Sequence, residues 1–330
     1  MSTIQTAPVT PDVERAKQEA VKTLLRPNSS VLGVGIGTKG VGGEDQDSVR
    51  VYVLDRDYVA RWGLVPPDFL GVPTHVIQVG RFGRSGGRPI VHKGEASRPG
   101  SPIRVSTSAS NVNEGQRGTL GAVVADDTGE NYILGCNHIL TVNGRVRTDP
   151  KAHVVSADFV GSENSLAHPT KFVPLKRDEG NSADCAIAAV KRGAPVDSAF
   201  PNGTLQLNPK GVIGPAPGMN VEKVGAVTGH TKGTVVDVDA DLYIDYSFGT
   251  YRFDHQVMID GGYDDLNNAF ANAGDSGSIA VGSETQQPTA LIFAASGRFA
   301  VACPLRTESG NGVLDLLEGQ LKRRLHFVAQ

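Results

Sequence analysis

Ala273-Gly274-Asp275-Ser276-Gly277-Ser278 is the stretch on which the reading of the fold turns. A serine hydroxyl is a poor nucleophile near neutral pH, so a reactive serine needs a base to take its proton and donors to hold the oxyanion that forms. Gly-Asp-Ser-Gly suits the second need. Glycine on each side lets the backbone turn until the N–H groups of Gly274 and Ser276 converge on one point. The same tetrapeptide is also ordinary turn chemistry in a chain with 40 glycines, so its meaning depends on what lies upstream.

Two upstream stretches supply a partner each. Leu134-Gly135-Cys136-Asn137-His138-Ile139-Leu140 puts a histidine at the end of an apolar β run, where a lone histidine is ordinarily a packed residue. Asn181-Ser182-Ala183-Asp184-Cys185-Ala186-Ile187-Ala188 puts a carboxylate at the mouth of another buried strand. Burying an acid among alanine, cysteine and isoleucine is costly without a partner, and a histidine N–H is a natural one. The resulting order, His138, Asp184, Ser276, is the chymotrypsin-type order rather than that of subtilisins or α/β-hydrolases.

Composition sets the frame. The chain has 330 residues, 39% hydrophobic and 20% charged, as expected of a soluble globular protein of about two domains. Many glycines and 6% aromatic residues favour short strands joined by turns. A net charge of -3 offers no basic field for nucleic acid. No apolar run approaches the ~20 residues of a membrane span. The start, Met1 to Thr6, lacks the order of a signal peptide, and three cysteines argue against a disulfide framework and for a reducing compartment, so a cytoplasmic location is expected. His75, His92, His153, His168, His230, His255 and His326 show no metal-ligand spacing, and neither a metal nor a cofactor is expected.

Along the chain, residues 1–9 read as a mobile tail, and Thr10-Pro11-Asp12 starts a helix with Val13, Ala16, Ala20, Val21 and Leu24 on one face. Strands are expected at 31–36, 48–54 and 74–79, which makes residues 1–81 a small α+β domain. Gly35-Ile36-Gly37-Thr38-Lys39-Gly40 matches the dinucleotide fingerprint, but no helix follows it, and it reads as a hairpin turn. Residues 82–117, rich in Gly, Pro, Ser and Arg, read as a linker lying across the next domain. Residues 118–330 then carry many short strands and end in an amphipathic helix at 313–325.

A family resemblance gathers these motifs. Gly118 to Val124, Asn137-His138, Asp184 to Ala188, Lys223 to Gly229 followed by Gly233-Thr234-Val235, the Gly-Asp-Ser-Gly, and Pro288 to Ser296 together resemble bacterial trypsin-like serine peptidases akin to the narrow-leaf proteins of plants. Val31 to Gly37 and Gly71 to Ile77 resemble the domain that precedes the peptidase in bacterial members. The resemblance implies a mainly β fold, two six-stranded Greek-key barrels of chymotrypsin type with a C-terminal helix, preceded by the small α+β domain. It implies a serine endopeptidase acting on protein or peptide substrates through His138 as base, Asp184 as its orienting acid and Ser276 as nucleophile, with Gly274 and Ser276 as the oxyanion hole. A homo-oligomer is expected only by analogy with the plant relatives.

Two departures bear on specificity and activation. Phe270 stands where the family places the floor of its primary pocket, an acid in trypsins, and Ala295 stands where relatives often have glycine, with Phe293 also on the expected pocket lining. Strict tryptic specificity is therefore not expected, and a small or medium apolar residue before the scissile bond is. Asp275 is present, but no Ile-Val-Gly-Gly start exists to pair with it, and Arg117-Gly118 is the one candidate processing point. A peptidase that folds without maturation, its first domain regulating access or assembly, is the preferred reading. The alternatives are a catalytically silent scaffold or peptide-binding module, and an esterase using Ser276, Asp315 and His326, which would need a helix after the serine where Ile279-Ala280-Val281 reads as strand.

Overall fold

The structure is a computed structural model, and it describes residues 11–41, 44–83, 97–99, 101–106, 117–141, 152–156, 165–200, 203, 205–208, 211–262 and 269–328. The expected tail, the Thr10 cap, His92 and most of the expected linker lie outside the described residues.

The N-terminal module is an α+β unit. Helix α1 (Pro11–Leu24) buries Val13, Ala16 and Ala20 against strands β1 (Val31–Val41) and β2 (Glu44–Val53). On β2, Val49, Val51 and Val53 alternate inward, as a half-buried strand requires. Helix α2 (Arg56–Arg61) is capped by Asp55, which accepts from the Tyr58 N–H at 2.9 Å, and leads to β3 (Asp68–Phe69) and β4 (Val72–Gln78). Strand β4 runs parallel to β2.

The Gly35–Gly40 stretch is not a turn. It is the body of β1, which pairs with β2 as far as Val41 opposite Glu44. The reason is close approach. A Cβ at Gly33 would stand 2.2 Å from Leu242 Cδ2, one at Gly35 1.9 Å from Asp237 Oδ2, and one at Gly37 2.0 Å from Arg50 Nε. The glycines let another strand lie against β1, and a strand, not a helix N-terminus, follows them.

Residues 102 onward build two β units. The first sheet has the order β18-β7-β8-β11-β10-β9-β5-β6. Its strands are β5 (Pro102–Ser106), β6 (Arg117–Thr119), β7 (Ala122–Asp126), β8 (Asn131–Gly135), β9 (His153–Ser156), β10 (Ser165–Phe172), β11 (Ala186–Val190) and β18 (Leu325–Phe327), with helix α3 (Asn137–Leu140) after β8. The second contains β12 (Asn220–Gly225), β13 (Gly229–Tyr246), β14 (Gly249–Asp260), β15 (Ile279–Gly282), β16 (Pro288–Ser296) and β17 (Phe299–Pro304), followed by α4 (Val313–Leu321). Its order, β12-β15-β16-β17-β14-β13, returns on itself through a β12–β13 pairing and so closes a six-stranded barrel. The fold is mainly β, with one closed six-stranded barrel and a C-terminal helix.

Three details differ from the sequence expectation. Among the described residues the first sheet carries eight strands where six were expected, with β18 added at one edge and β5 set between β9 and β6. Strand β5 falls inside the expected linker, where the prolines and serines around Ile103 hide a short run that pairs with both β6 and β9. The C-terminal helix stops at Leu321, Lys322 turns left-handed at φ 60°, and Leu325–Phe327 pairs with β7.

The β13–β14 hairpin outgrows its barrel and joins the two parts of the molecule. Strand β1 adds to β13 with Gly33 opposite Leu242 and Val34 opposite Asp241, so the N-terminal module and the second barrel share one ten-stranded sheet. Buried polar pairs fasten the junction. Lys17 Nζ lies 2.8 Å from Asp239 and 2.9 Å from Asp241, and Tyr52 Oη donates to Asp237 at 2.8 Å. Among the described residues no helix is long and apolar enough to cross a membrane.

Candidate active site

His138 lies in α3, directly after β8, and Asp184 precedes β11, which pairs with β8. That pairing brings them together. His138 Nδ1 is 2.5 Å from Asp184 Oδ2, and the His138 backbone N–H donates to Oδ1 at 3.0 Å. Asp184 is fully buried. Burial alone would raise its pKa, but the His138 imidazole, followed by the hydrogen bonds, outweighs it and holds the carboxyl below its usual range. The arrangement fixes one imidazole tautomer and leaves Nε2 for a substrate-side proton.

Ser276 sits in the loop before β15 and is partly exposed. Gly274 at φ 102° and Gly277 at φ 103° bend the backbone on either side of it. Among the described residues, nothing accepts the N–H of Gly274 or of Ser276, as an oxyanion hole requires. The loop is pinned by Thr119, whose N–H donates to the Ser276 carbonyl at 2.8 Å and whose hydroxyl donates to the Gly274 carbonyl at 2.8 Å.

The serine hydroxyl donates to the Phe293 carbonyl at 3.1 Å, and no hydrogen bond joins it to His138. The two still belong to one neighbourhood. Cys136, two residues before His138, donates through Sγ to the Ile292 carbonyl at 3.3 Å, and Ile292 adjoins Phe293 on β16.

Asp275 already has partners within the fold. It is fully buried and accepts from the N–H groups of Val227 (2.8 Å), Thr228 (3.2 Å) and Asn272 (2.8 Å) and from the Thr228 hydroxyl (2.7 Å). The ammonium of Lys223, itself fully buried, stands 3.8 Å away. Burial pushes the Lys223 pKa down to about 8, with Asp275 opposing the fall. The candidate processing point, Arg117-Gly118, lies within β6 of the first sheet.

The expected pocket residues are placed as follows. Phe270 is fully buried and packs with Val221, Val235 and Ala295, its ring centroid 5.8 Å from Lys223 Nζ. Phe293 packs on Phe253, ring centroids 4.7 Å apart. Ala295 has a backbone occupant: the Gly83 N–H donates to its carbonyl at 3.3 Å, and Gly83 also bridges Asp245 at the end of β13. Of the esterase set, Asp315 is taken by Arg306 at 2.7 Å and by the Gly312 N–H, while His326 is exposed on β18, and neither bonds to Ser276.

Sequence reasoning missed two groups around Asp184. Tyr246 donates its hydroxyl to Oδ2 at 2.7 Å. Cys303 accepts the Asp184 N–H at 3.4 Å. Cys136, Cys185 and Cys303 are free and fully buried, and burial pushes their thiol pKa values up, so they remain neutral. Among the described residues two clusters have a donor set within reach of a metal: Cys136, His138 and Asp184, already engaged as above, and Asp239, Asp241 and His255, whose carboxylates hold the Lys17 ammonium.

No family model matches the chain. No curated protein matches it either. Solved structures do. A glutamic-acid-specific serine protease shares 16% identity over 70% of this chain and 100% of its own, with a TM-score of 0.45. Thermobifida fusca protease A shares 16% over 71% and 100%, with a TM-score of 0.44. Nocardiopsis protease shares 15% over 69% and 98%, with a TM-score of 0.45. The structural neighbours are thus bacterial chymotrypsin-fold serine proteases, at a distance that assigns neither activity nor residue roles to this chain.

Proposed function

We propose that the chain is a serine endopeptidase of restricted, intracellular use, which hydrolyses peptide bonds through Ser276, His138 and Asp184. The observation that carries this reading is the buried Asp184 carboxylate on His138 Nδ1, in the same molecule as a glycine-flanked serine loop with two unengaged N–H groups. Ser276 Oγ attacks the carbonyl carbon as His138 Nε2 accepts its proton. The Gly274 and Ser276 N–H groups take the oxyanion, each worth about 3–4 kcal/mol in related sites. The C–N bond breaks as His138 returns the proton to the amine, and water then releases the acyl group by the same steps.

Activation in this reading needs no cut, because Lys223 and four hydrogen bonds already satisfy Asp275. Access is regulated instead. Strand β15 pairs with β16 only as far as Leu291, so the edge of β16 beyond Ile292 is where an extended peptide would add beside Ser276. Gly83 holds one position on that edge. Phe270 offers no acid to a basic side chain, which favours a small or medium apolar residue before the scissile bond. Peptide panels differing only at that residue test this. Cleavage after alanine or leucine is expected, and efficient cleavage after arginine alone would overturn it.

A second reading, a silent scaffold, is favoured by one observation: the Ser276 hydroxyl rests on Phe293 rather than on His138. Peptide hydrolysis that disappears in Ser276→Ala would exclude it.

A further inference from the structure

Asp184 Oδ2 is shared. His138 Nδ1 reaches it at 2.5 Å and Tyr246 Oη at 2.7 Å. The Tyr246 ring also faces the imidazole, with centroids 5.1 Å apart and planes inclined by 58°. It is held in place by Phe248, stacked at 5.0 Å, and by Tyr251 and Phe253 at 5.8 and 6.3 Å. All four aromatic residues belong to the far end of the β13–β14 hairpin. That end projects beyond the barrel and is braced by β1, which pairs with β13 at Asp241 and Leu242, four residues before Tyr246.

We propose that Tyr246 is a positioning residue of the His138–Asp184 pair, and that the N-terminal module holds it there by adding β1 to the hairpin that carries it. A buried carboxylate with four lone-pair sites needs several donors, and His138 supplies two of them. The phenol supplies a third without carrying charge. Burial, reinforced by Asp184, keeps its pKa well above the usual value, so it donates throughout the working range. The other groups that face Asp184 are Cys136 before α3, the adjacent Cys185 and Cys303 on β17, all neutral thiols. The sharing has a chemical consequence. With the phenol gone, Oδ2 bears on His138 alone and only the His138 N–H on Oδ1 still fixes the carboxylate plane, so the pair holds its proton more tightly and in a less defined geometry.

This inference rests on the peptidase reading for its kinetic consequence, but its direct test does not require activity. The full-length chain is compared with Tyr246→Phe, which keeps the aromatic packing, and the downfield proton NMR signal of His138 Nδ1–H is followed with pH. The signal, identified by its absence in His138→Ala, is expected to move or broaden in Tyr246→Phe. An unchanged signal overturns the proposal. Gly33→Val, whose side chain would press on Leu242, is expected to disturb the same signal, whereas Trp62→Ala on the exposed side of the module leaves it alone. A folded Gly33→Val protein with the wild-type signal would overturn the bracing role.

In the active protein, Tyr246→Phe is expected to lower kcat/KM on the order of tenfold, with the acid limb of its pH profile moved to higher pH. An unmoved acid limb counts against the proposal. Fluorophosphonate labelling of the same samples separates the two claims. A responsive NMR signal without labelling sinks the peptidase reading alone, and labelling with an unresponsive signal sinks the role of Tyr246 alone.

Discussion

Wild-type stability and activity should move in opposite directions as pH rises, and Lys223→Met should remove that opposition. Lys223 Nζ is fully buried, donates to the Gly229 carbonyl at 2.9 Å and faces Asp275 at 3.8 Å. Its pKa falls from 10.5 to about 8 through burial. Between those values the unfolded chain binds the proton and the folded chain does not, so wild-type stability rises with pH across that window. The interval corresponds to about 3 kcal/mol. Methionine fills the same space without the ammonium, and the variant should lack that rise. At pH 7 two effects compete. Breaking a buried pair costs roughly 3–5 kcal/mol, while removing a strained buried cation returns much of it, so a net loss of about 1–2 kcal/mol is expected. Activity has no such offset. Asp275 lies between the two oxyanion donors, and an unmatched carboxylate there should cut the rate by about a hundredfold. Wild-type activity should likewise decline above pH 8 while stability still climbs. Urea unfolding from pH 7 to 10.5, paired with labelling rates, measures both. Parallel stability curves for the two proteins, or equal labelling rates, would refute the reasoning.

Three other perturbations probe separate links. Asp184→Asn should leave the fold intact but lower kcat by about 10⁴-fold, since an amide no longer fixes the required tautomer; steady-state kinetics with a circular dichroism control checks it. Gly83→Ala puts a Cβ 2.3 Å from the Asp245 carbonyl at φ 153°, so residue 83 should leave the β16 edge and the labelling rate of Ser276 should increase. An unchanged rate would mean that Gly83 does not limit access. Asp237, whose pKa burial raises to about 6, should make wild-type stability fall relative to Asp237→Asn by about 3 kcal/mol between pH 4 and 6, because the folded state binds the extra proton in that window. Urea titrations of both proteins at those two pH values read the difference.

The sequence made parts of this site readable and hid others for physical reasons. His138, Asp184 and Ser276 announce themselves because each breaks a local pattern: a histidine or acid at the end of an apolar run, a serine between glycines. The helix over 11–24 and the alternating valines of β2 follow from periodicity within one element. Tyr246 carries no such mark. It is one aromatic residue in a long strand, and its meaning arises from a contact with a carboxylate 62 positions earlier. Lys223 looked like any lysine in a strand until the barrel closed around it. Gly35 and Gly37 suggested a turn because glycine allows turns, but it equally allows a neighbour to press close, and only the approach of Asp237 on β13 and Arg50 on β2 decides between them. Strand β5 was masked by its neighbours' composition, and its pairing is wholly long-range.

The central claim is that Ser276 and His138 form a working nucleophile and base. Intact-protein mass spectrometry after incubation with a fluorophosphonate tests it most directly, on wild type, Ser276→Ala and His138→Ala. One adduct on wild type and none on either variant is the result expected. An unmodified wild-type protein that is folded, and that stays unmodified when Gly83→Ala opens the β16 edge, would contradict the account.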